Sequence, residues 1–215
     1  MTPVRTLLLS TLFLVVLLAA FLWLYPHMPA RVPTHWNAQG QINGYMSPQW
    51  AVGTPMIIIA LIAVLAVLLP VISPRGYDIK PFVAVYSTIM LATQVVVLVA
   101  GLGVLLNAAG HTVRMPLVGM LAAGALLMVM GNYMGKLRKN FFIGIRTPWT
   151  LASDAVWERT HRMGGWLFML AGLAMVAMAF AGSSLTLLIV VVASIVLIPP
   201  AYSYVVYRRI EKKNP

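Results

Sequence analysis

Six long apolar runs divide the chain, near residues 7–25, 51–72, 82–106, 115–133, 163–182 and 185–207, and none contains Asp, Glu, Lys or Arg. A helix crosses the hydrocarbon core with roughly 20 apolar residues. The runs are continuous and do not alternate, so they predict helices and not the strands of a membrane barrel. The first run follows Arg5 and ends at Trp23 and Tyr25, aromatics suited to a membrane boundary. It exceeds a signal-peptide core of roughly 7–15 residues and is predicted to be a retained span. The expected fold is therefore all-α: a polytopic membrane protein of six transmembrane helices with both termini on one side.

Charge between the runs predicts the orientation. On the terminal side stand Arg5, Arg75, Lys80, Lys136, Arg138, Lys139, Arg146, Arg159, Arg162, Arg208, Arg209, Lys212 and Lys213; the opposite side has Arg31 and Arg114. Lys and Arg collect on the cytoplasmic side, so both termini are expected to be cytoplasmic. Composition agrees, since 9% charged residues is far below the roughly 25% of a soluble domain. The net charge of +11 follows from this sorting and from anionic lipid, so no direct nucleic-acid binding is predicted. No cysteine is present, which excludes disulfides and thiolate chemistry.

Prolines and small residues refine the spans. Pro55, Pro81 and Pro116 are expected in first helical turns, where a missing N–H costs little. Pro199-Pro200 falls inside the last span and predicts a kink. Gly101, Gly103, Gly119, Gly124, the Gly131/Gly135 pair and the Gly/Ala-rich run 171–182 predict close helix contacts. The mid-span polar residues Thr93 and Gln94, with Tyr86, Ser87 and Thr88, are expected to be satisfied by helical hydrogen bonds.

Two long connections remain, and they divide the chain into residues 1–72, with an outer module at 26–50, and residues 73–215, with an inner elbow at 134–162. The outer one reads "PHMPARVPTHWNAQGQINGYMSPQW". Its prolines enforce extended or turn backbone, and Gly40 and Asn43-Gly44 are expected to supply turns with positive φ. His35 and Asn37 would hold the backbone of a small ordered lobe, with Trp36 and Tyr45 at the interface. His27 and His111 are the other outer histidines and no outer carboxylate exists, so no metal site is predicted.

The inner connection reads "MGKLRKNFFIGIRTPWTLASDAVWERTHR". "FFIGI", 141–145, is too short to cross and too apolar to float, which predicts a headgroup-zone segment. Pro148 blocks helix before it. A short helix then follows, N-capped by Thr150 or Ser153, with Glu158 paired to Arg162 and Trp157 stacked on His161. Asp154, Glu158 and His161 read as a helix-surface ionic group. No HExxH, Gly-x-Ser-x-Gly or isolated carboxylate pair is present, so no catalytic set and no cofactor are predicted.

The stretch "GNYMGKLRKNFFIGIRTPWTLASDAVWERTHRMGGWLF", 131–168, closely resembles the signature of the SdpI family, bacterial immunity proteins against the sporulation-delaying killing peptide. "RVPTHWNAQGQINGYMSPQW", 31–50, resembles the amino-terminal module of unknown function that accompanies it. The resemblance implies a non-enzymatic protein of the bacterial cytoplasmic membrane, in contact with membrane lipids. It would meet a secreted antimicrobial peptide outside and hold a cytosolic repressor inside. By position, His35, Trp36, Asn37, Gly40 and Tyr45 would bind the ligand. Asn140, Gly144, Arg146, Thr147, Pro148, Trp149, Trp157, Arg159 and His161 would dock the partner. The competing expectation is a small membrane transporter or channel.

Overall fold

Each predicted run is a helix in the computed structural model, which describes residues 3–37, 39–182 and 184–211. The six long helices are α1 (Pro3–Leu24), α2 (Pro48–Ile72), α3 (Val83–Ala108), α4 (Met115–Met134), α6 (Asp154–Ala181) and α7 (Leu185–Glu211). All six are long and apolar enough to cross a membrane. A short α5 (Pro148–Ala152) sits in the connection between α4 and α6, and an antiparallel hairpin of β1 (Val32–Trp36) and β2 (Ile42–Met46) joins α1 to α2. Lys212 and Lys213 of the charge count lie outside the described residues.

Side chains such as Leu8, Val71, Phe180 and Leu197 stand more than half exposed around the bundle. Facing lipid tails, they lose nothing by pointing outward, so helix association has to come from close packing and hydrogen bonds. The α4–α6 pair is the plainest case. A Cβ on Gly124 would stand 2.8 Å from the Gly172 carbonyl oxygen, and one on Gly172 would stand 2.5 Å from that of Gly124. Gly131 and Gly165 meet in the same reciprocal way, at 2.6 and 2.8 Å. The two contacts lie seven residues apart on both antiparallel helices, hence on one face of each. Gly119 and Gly135 differ: nothing lies within 4 Å of where their Cβ would stand.

The prolines depart from expectation in one place. Pro48, and not Pro55, occupies the first turn of α2, because Ser47 is the N-cap and the helix starts earlier than the apolar run. Pro55 and Pro70 are interior. Pro81 falls in a 3-10 turn before α3 and Pro116 in the first turn of α4. α7 continues through Pro199-Pro200, whose rings withdraw the hydrogen-bond partners of the Ile195 and Val196 carbonyls.

Chain direction sets the two ends. The hairpin shares its end with the close of α3 and the starts of α4 and α7. The α4–α6 connection shares the other end with the start of α3. A buried cluster including Val32, Ala51 and Val104 seats the hairpin, and another including Phe82, Tyr86, Met134 and Trp157 underlies the connection.

The glycine contacts carry an expectation. Gly172→Leu forces backbone against backbone with no rotamer to relieve it, so its thermal midpoint in detergent should fall, by the equivalent of about 3 kcal/mol. Gly119→Ala, in open space, should leave that midpoint unchanged or slightly raised.

Candidate functional site

The hairpin lobe is built around Asn37. Its side-chain oxygen accepts the Gln39 and Gln41 N–H groups at 3.0 and 2.9 Å, and its amide donates to the Gln41 side chain at 3.0 Å. Gly40 completes this turn at φ +77°. The expected Asn43-Gly44 turn is overturned: both residues lie in β2, and Gly44 pairs with His35. A Cβ on Gly44 would stand 2.8 Å from that of His35, so the glycine serves close strand approach and not a left-handed φ. His35 Nδ1 and Asn43 Oδ1 lie 2.5 Å apart, the ring N–H donating across the strands.

The β1–β2 ladder slips on either side of His35. A regular strand would send alternate side chains to opposite faces, whereas such irregularities re-aim them. Here the consecutive residues Thr34, His35, Trp36 and Asn37 all line one cavity of about 330 Å³. Its remaining walls are largely apolar, with Val104 from α3, Gly119 and Met120 from α4, and Leu188 from α7. Gly40 and Tyr45 stand apart from it. Gly40 approaches Pro116, while Tyr45 is exposed beneath the Arg31 guanidinium, 5.3 Å from the ring centre.

The elbow at the opposite end is held by satisfied polar groups. Asn140 is fully buried; its amide donates to the Arg138 and Ile143 carbonyls at 2.8 and 3.0 Å. Its oxygen accepts the Phe142 and Ile143 N–H groups, both at 2.8 Å. Gly144 turns the chain at φ +111°. The Ile145 N–H then donates to His161 Nε2 at 2.9 Å, and His161 Nδ1–H donates to the Trp157 carbonyl at 2.9 Å. A backbone donor on one ring nitrogen and a backbone acceptor on the other require neutral imidazole with its proton on Nδ1. Trp157 stacks on His161 as expected, ring centres 3.9 Å apart, and its indole N–H donates to the Leu137 carbonyl at 2.8 Å.

Several expectations for this segment are corrected. The short helix is not separate, since 154–162 forms the first turns of α6, with Ser153 as N-cap. Thr147 caps α5 in a reciprocal pair with Thr150. Glu158 pairs with Arg138 at 3.5 Å and not with Arg162, and Asp154 pairs with Lys139 at 2.7 Å. The carboxylates therefore tie α6 back to the connection that follows α4. His161 is fully buried, so it belongs to no surface ionic group. Phe142, Ile143 and Ile145 fold back onto the buried cluster around Trp157.

Helical hydrogen bonding also explains less of α3 than expected. Thr88 and Thr93 bond carbonyls one turn back, and Tyr86 donates to the Leu65 carbonyl at 2.7 Å. Both amide atoms of Gln94, the Ser87 hydroxyl and the Thr160 hydroxyl are buried without a hydrogen-bond partner among the described residues.

α7 reaches both ends. Leu185 and Leu188 in its first turns line the cavity beneath the hairpin. Beyond Pro199-Pro200, Ser203 Oγ lies 3.0 Å from Thr147 Oγ1, and Tyr204 packs on Trp149 with ring centres 5.0 Å apart. Of the inner residues singled out in the sequence, Asn140, Thr147, Trp157 and His161 are buried in the elbow's own framework. Arg146, Pro148 and Arg159 are exposed, and Gly144 and Trp149 are half-buried. Sequence reasoning missed Ser203 and the cavity residue Leu188, neither of which stands in a motif; it read Gly119 as a helix contact and not a cavity wall, and Thr150 as an N-cap and not the partner of Thr147. Among the described residues no three His, Asp or Glu side chains come together.

These features define a multi-pass helical membrane protein with a strand hairpin at one end and a hydrogen-bonded elbow at the other. Residues 136–203 match the SdpI/YfhL protein family, and residues 12–59 match a domain of unknown function, DUF1648. The resemblance read from residues 131–168 is thereby borne out. The chain is also similar to "Immunity protein SdpI" of Bacillus subtilis (strain 168), 25% identical over 175 residues, which cover 79% of each chain. No solved structure matches it.

Two substitutions separate the elbow's interactions. Asn140→Asp keeps the acceptors but sets a charge against two carbonyls. It should destabilise the elbow by about 3 kcal/mol and speed tryptic cleavage after Arg146. His161→Phe keeps a ring on Trp157 but strands the Ile145 N–H, and chemical denaturation should register about 2 kcal/mol.

Proposed function

We propose that this protein is a membrane immunity protein that captures an apolar antimicrobial peptide at the hairpin end and relays its presence to the elbow. The observation carrying this reading is the cavity beneath the hairpin, because four consecutive residues of β1 and its turn converge on it with apolar walls. A pocket of that size and character suits one or two large apolar side chains, fixed in orientation by His35 and Asn37. The family match and the similarity to an immunity protein support the same reading. The elbow end is proposed to face the cytosol of a bacterial cell membrane, since eleven of the described Lys and Arg residues stand there by position.

On this reading Arg146, Pro148 and Trp149 form the surface for a cytosolic regulator. Asn140, Thr147, Trp157 and His161 act by holding that surface in place. α7, touching both the cavity and Trp149, supplies the link, and binding shifts the bundle between two arrangements. No step in this role calls for a catalytic group.

Gly119→Phe fills the cavity from a wall position where an added Cβ meets nothing within 4 Å. Cells carrying it should lose peptide protection, with survival shifted by about tenfold or more in peptide concentration, while protein amount and thermal midpoint hold. Trp149→Ala should keep peptide binding and lose regulator recruitment. Unchanged survival with Gly119→Phe would remove the cavity from the peptide's path.

One observation favours the second reading, a small transporter: the unpartnered Gln94 amide at mid-span. Intramembrane polar groups of this kind often mark a solute path. Saturable flux in proteoliposomes that disappears in Gln94→Leu would reverse the ranking.

A further inference from the structure

The elbow end holds a second cavity that, apart from Arg159, neither the peptide reading nor the regulator reading uses. A cleft of about 820 Å³ opens between the start of α3, the end of α4 and the first turns of α6. Four cations line it, Lys136, Arg138, Arg159 and Arg162, against the one carboxylate of Glu158. Four positive charges and one negative leave three in excess. Arg138 is engaged by Glu158 at 3.5 Å, and the Lys136 ammonium lies 4.8 Å above the Tyr133 ring. Arg159 and Arg162 are exposed and make no ion pair or hydrogen bond among the described residues.

The cleft does not end at its cations. Gly135 and Arg162 also line a crevice of about 220 Å³ beside the α4–α6 seam, whose other walls are Gly131, Asn132, Gly165, Met169 and the exposed Trp166. Gly135 has an ordinary helical φ of −67°, and nothing lies within 4 Å of where its Cβ would stand. Neither conformation nor packing requires a glycine there. Gly135 stands where the cationic cleft and the mainly apolar crevice share a wall, so a long side chain there would stand between them.

We infer that this cleft and the crevice adjoining it form a binding site for an anionic glycerophospholipid. The headgroup phosphate takes Arg159 and Arg162, whose forked guanidiniums match its oxygens. An acyl chain lies along the glycine seam under Trp166. A charged mouth at the end of the spans, opening onto an apolar slot between two of them, fits a molecule with the same division. A soluble anion satisfies the mouth alone. Basic pockets between transmembrane helices are suited to such headgroups.

The test uses the full-length protein in phosphatidylcholine nanodiscs, titrated with phosphatidylglycerol of the same acyl chains and followed by native mass spectrometry. Phosphatidylglycerol should bind in preference to added phosphatidylcholine. The double variant Arg159→Gln/Arg162→Gln should weaken it about thirtyfold, on roughly fivefold per cation. Both positions are exposed, so folding is preserved. Gly135→Leu, which closes the passage and leaves the charge intact, should weaken the lipid but not inorganic phosphate. Arg31→Gln/Arg114→Gln, an equal loss of charge at the other end, should change nothing. Equal lipid binding by wild type and the double variant overturns the inference. Inorganic phosphate competing as well as the lipid, or Gly135→Leu leaving lipid binding intact, overturns the lipid assignment and leaves a soluble-anion site.

Discussion

The backbone contact between α4 and α6 governs the elbow end of this molecule. At Gly124 against Gly172 and Gly131 against Gly165, main chain meets main chain. In lipid, where burying leucine brings little, such proximity is a principal source of helix affinity. It also fixes where α4 ends relative to where α6 begins. Leu137 thereby comes within reach of the Trp157 indole, Arg138 of Glu158 and Lys139 of Asp154. The connection from α4 to α6 folds over a gap whose width the glycines determine.

Within that gap, Asn140 and His161 are matched at every polar atom, while the buried Thr160 hydroxyl is not. Asn140 uses both donors and both lone-pair directions of its amide, and His161 uses both ring nitrogens. Such networks are rigid when complete and costly when one member is lost. This explains why an aromatic and polar string persists in a chain that is otherwise so apolar. Its buried members build a frame, and Arg146, Pro148 and Trp149 are what the frame presents.

The spans were legible because a backbone in hydrocarbon must satisfy its own hydrogen bonds, which turns a continuous apolar run into a helix. The Trp157–His161 stack was legible because the two residues are one turn apart. Partners across segments were not. Asp154, Glu158 and His161 share a region of one helix by spacing, and only packing decides that the carboxylates reach Arg138 and Lys139 in the connection while the imidazole is buried. Asn43-Gly44 carries a turn signature, yet Gly44 answers to the His35 Cβ on the facing strand, which local sequence does not report. The cavity beneath the hairpin draws on β1, α3, α4 and α7, so no window of sequence contains it. Gln94 shows the opposite limit: its position was evident, its lack of a partner was not.

α7 is the span least enclosed by its neighbours, with 6% of its most apolar window buried. It is nonetheless anchored at one end by Thr147 and Trp149, while its other end walls the hairpin cavity. Between anchor and wall, the paired prolines have already removed two rungs of the helical ladder. Flexure there meets two fewer backbone hydrogen bonds than elsewhere along the rod. A wedge beneath the hairpin would tilt the upper arm, and the gripped lower arm would twist against the indole of Trp149.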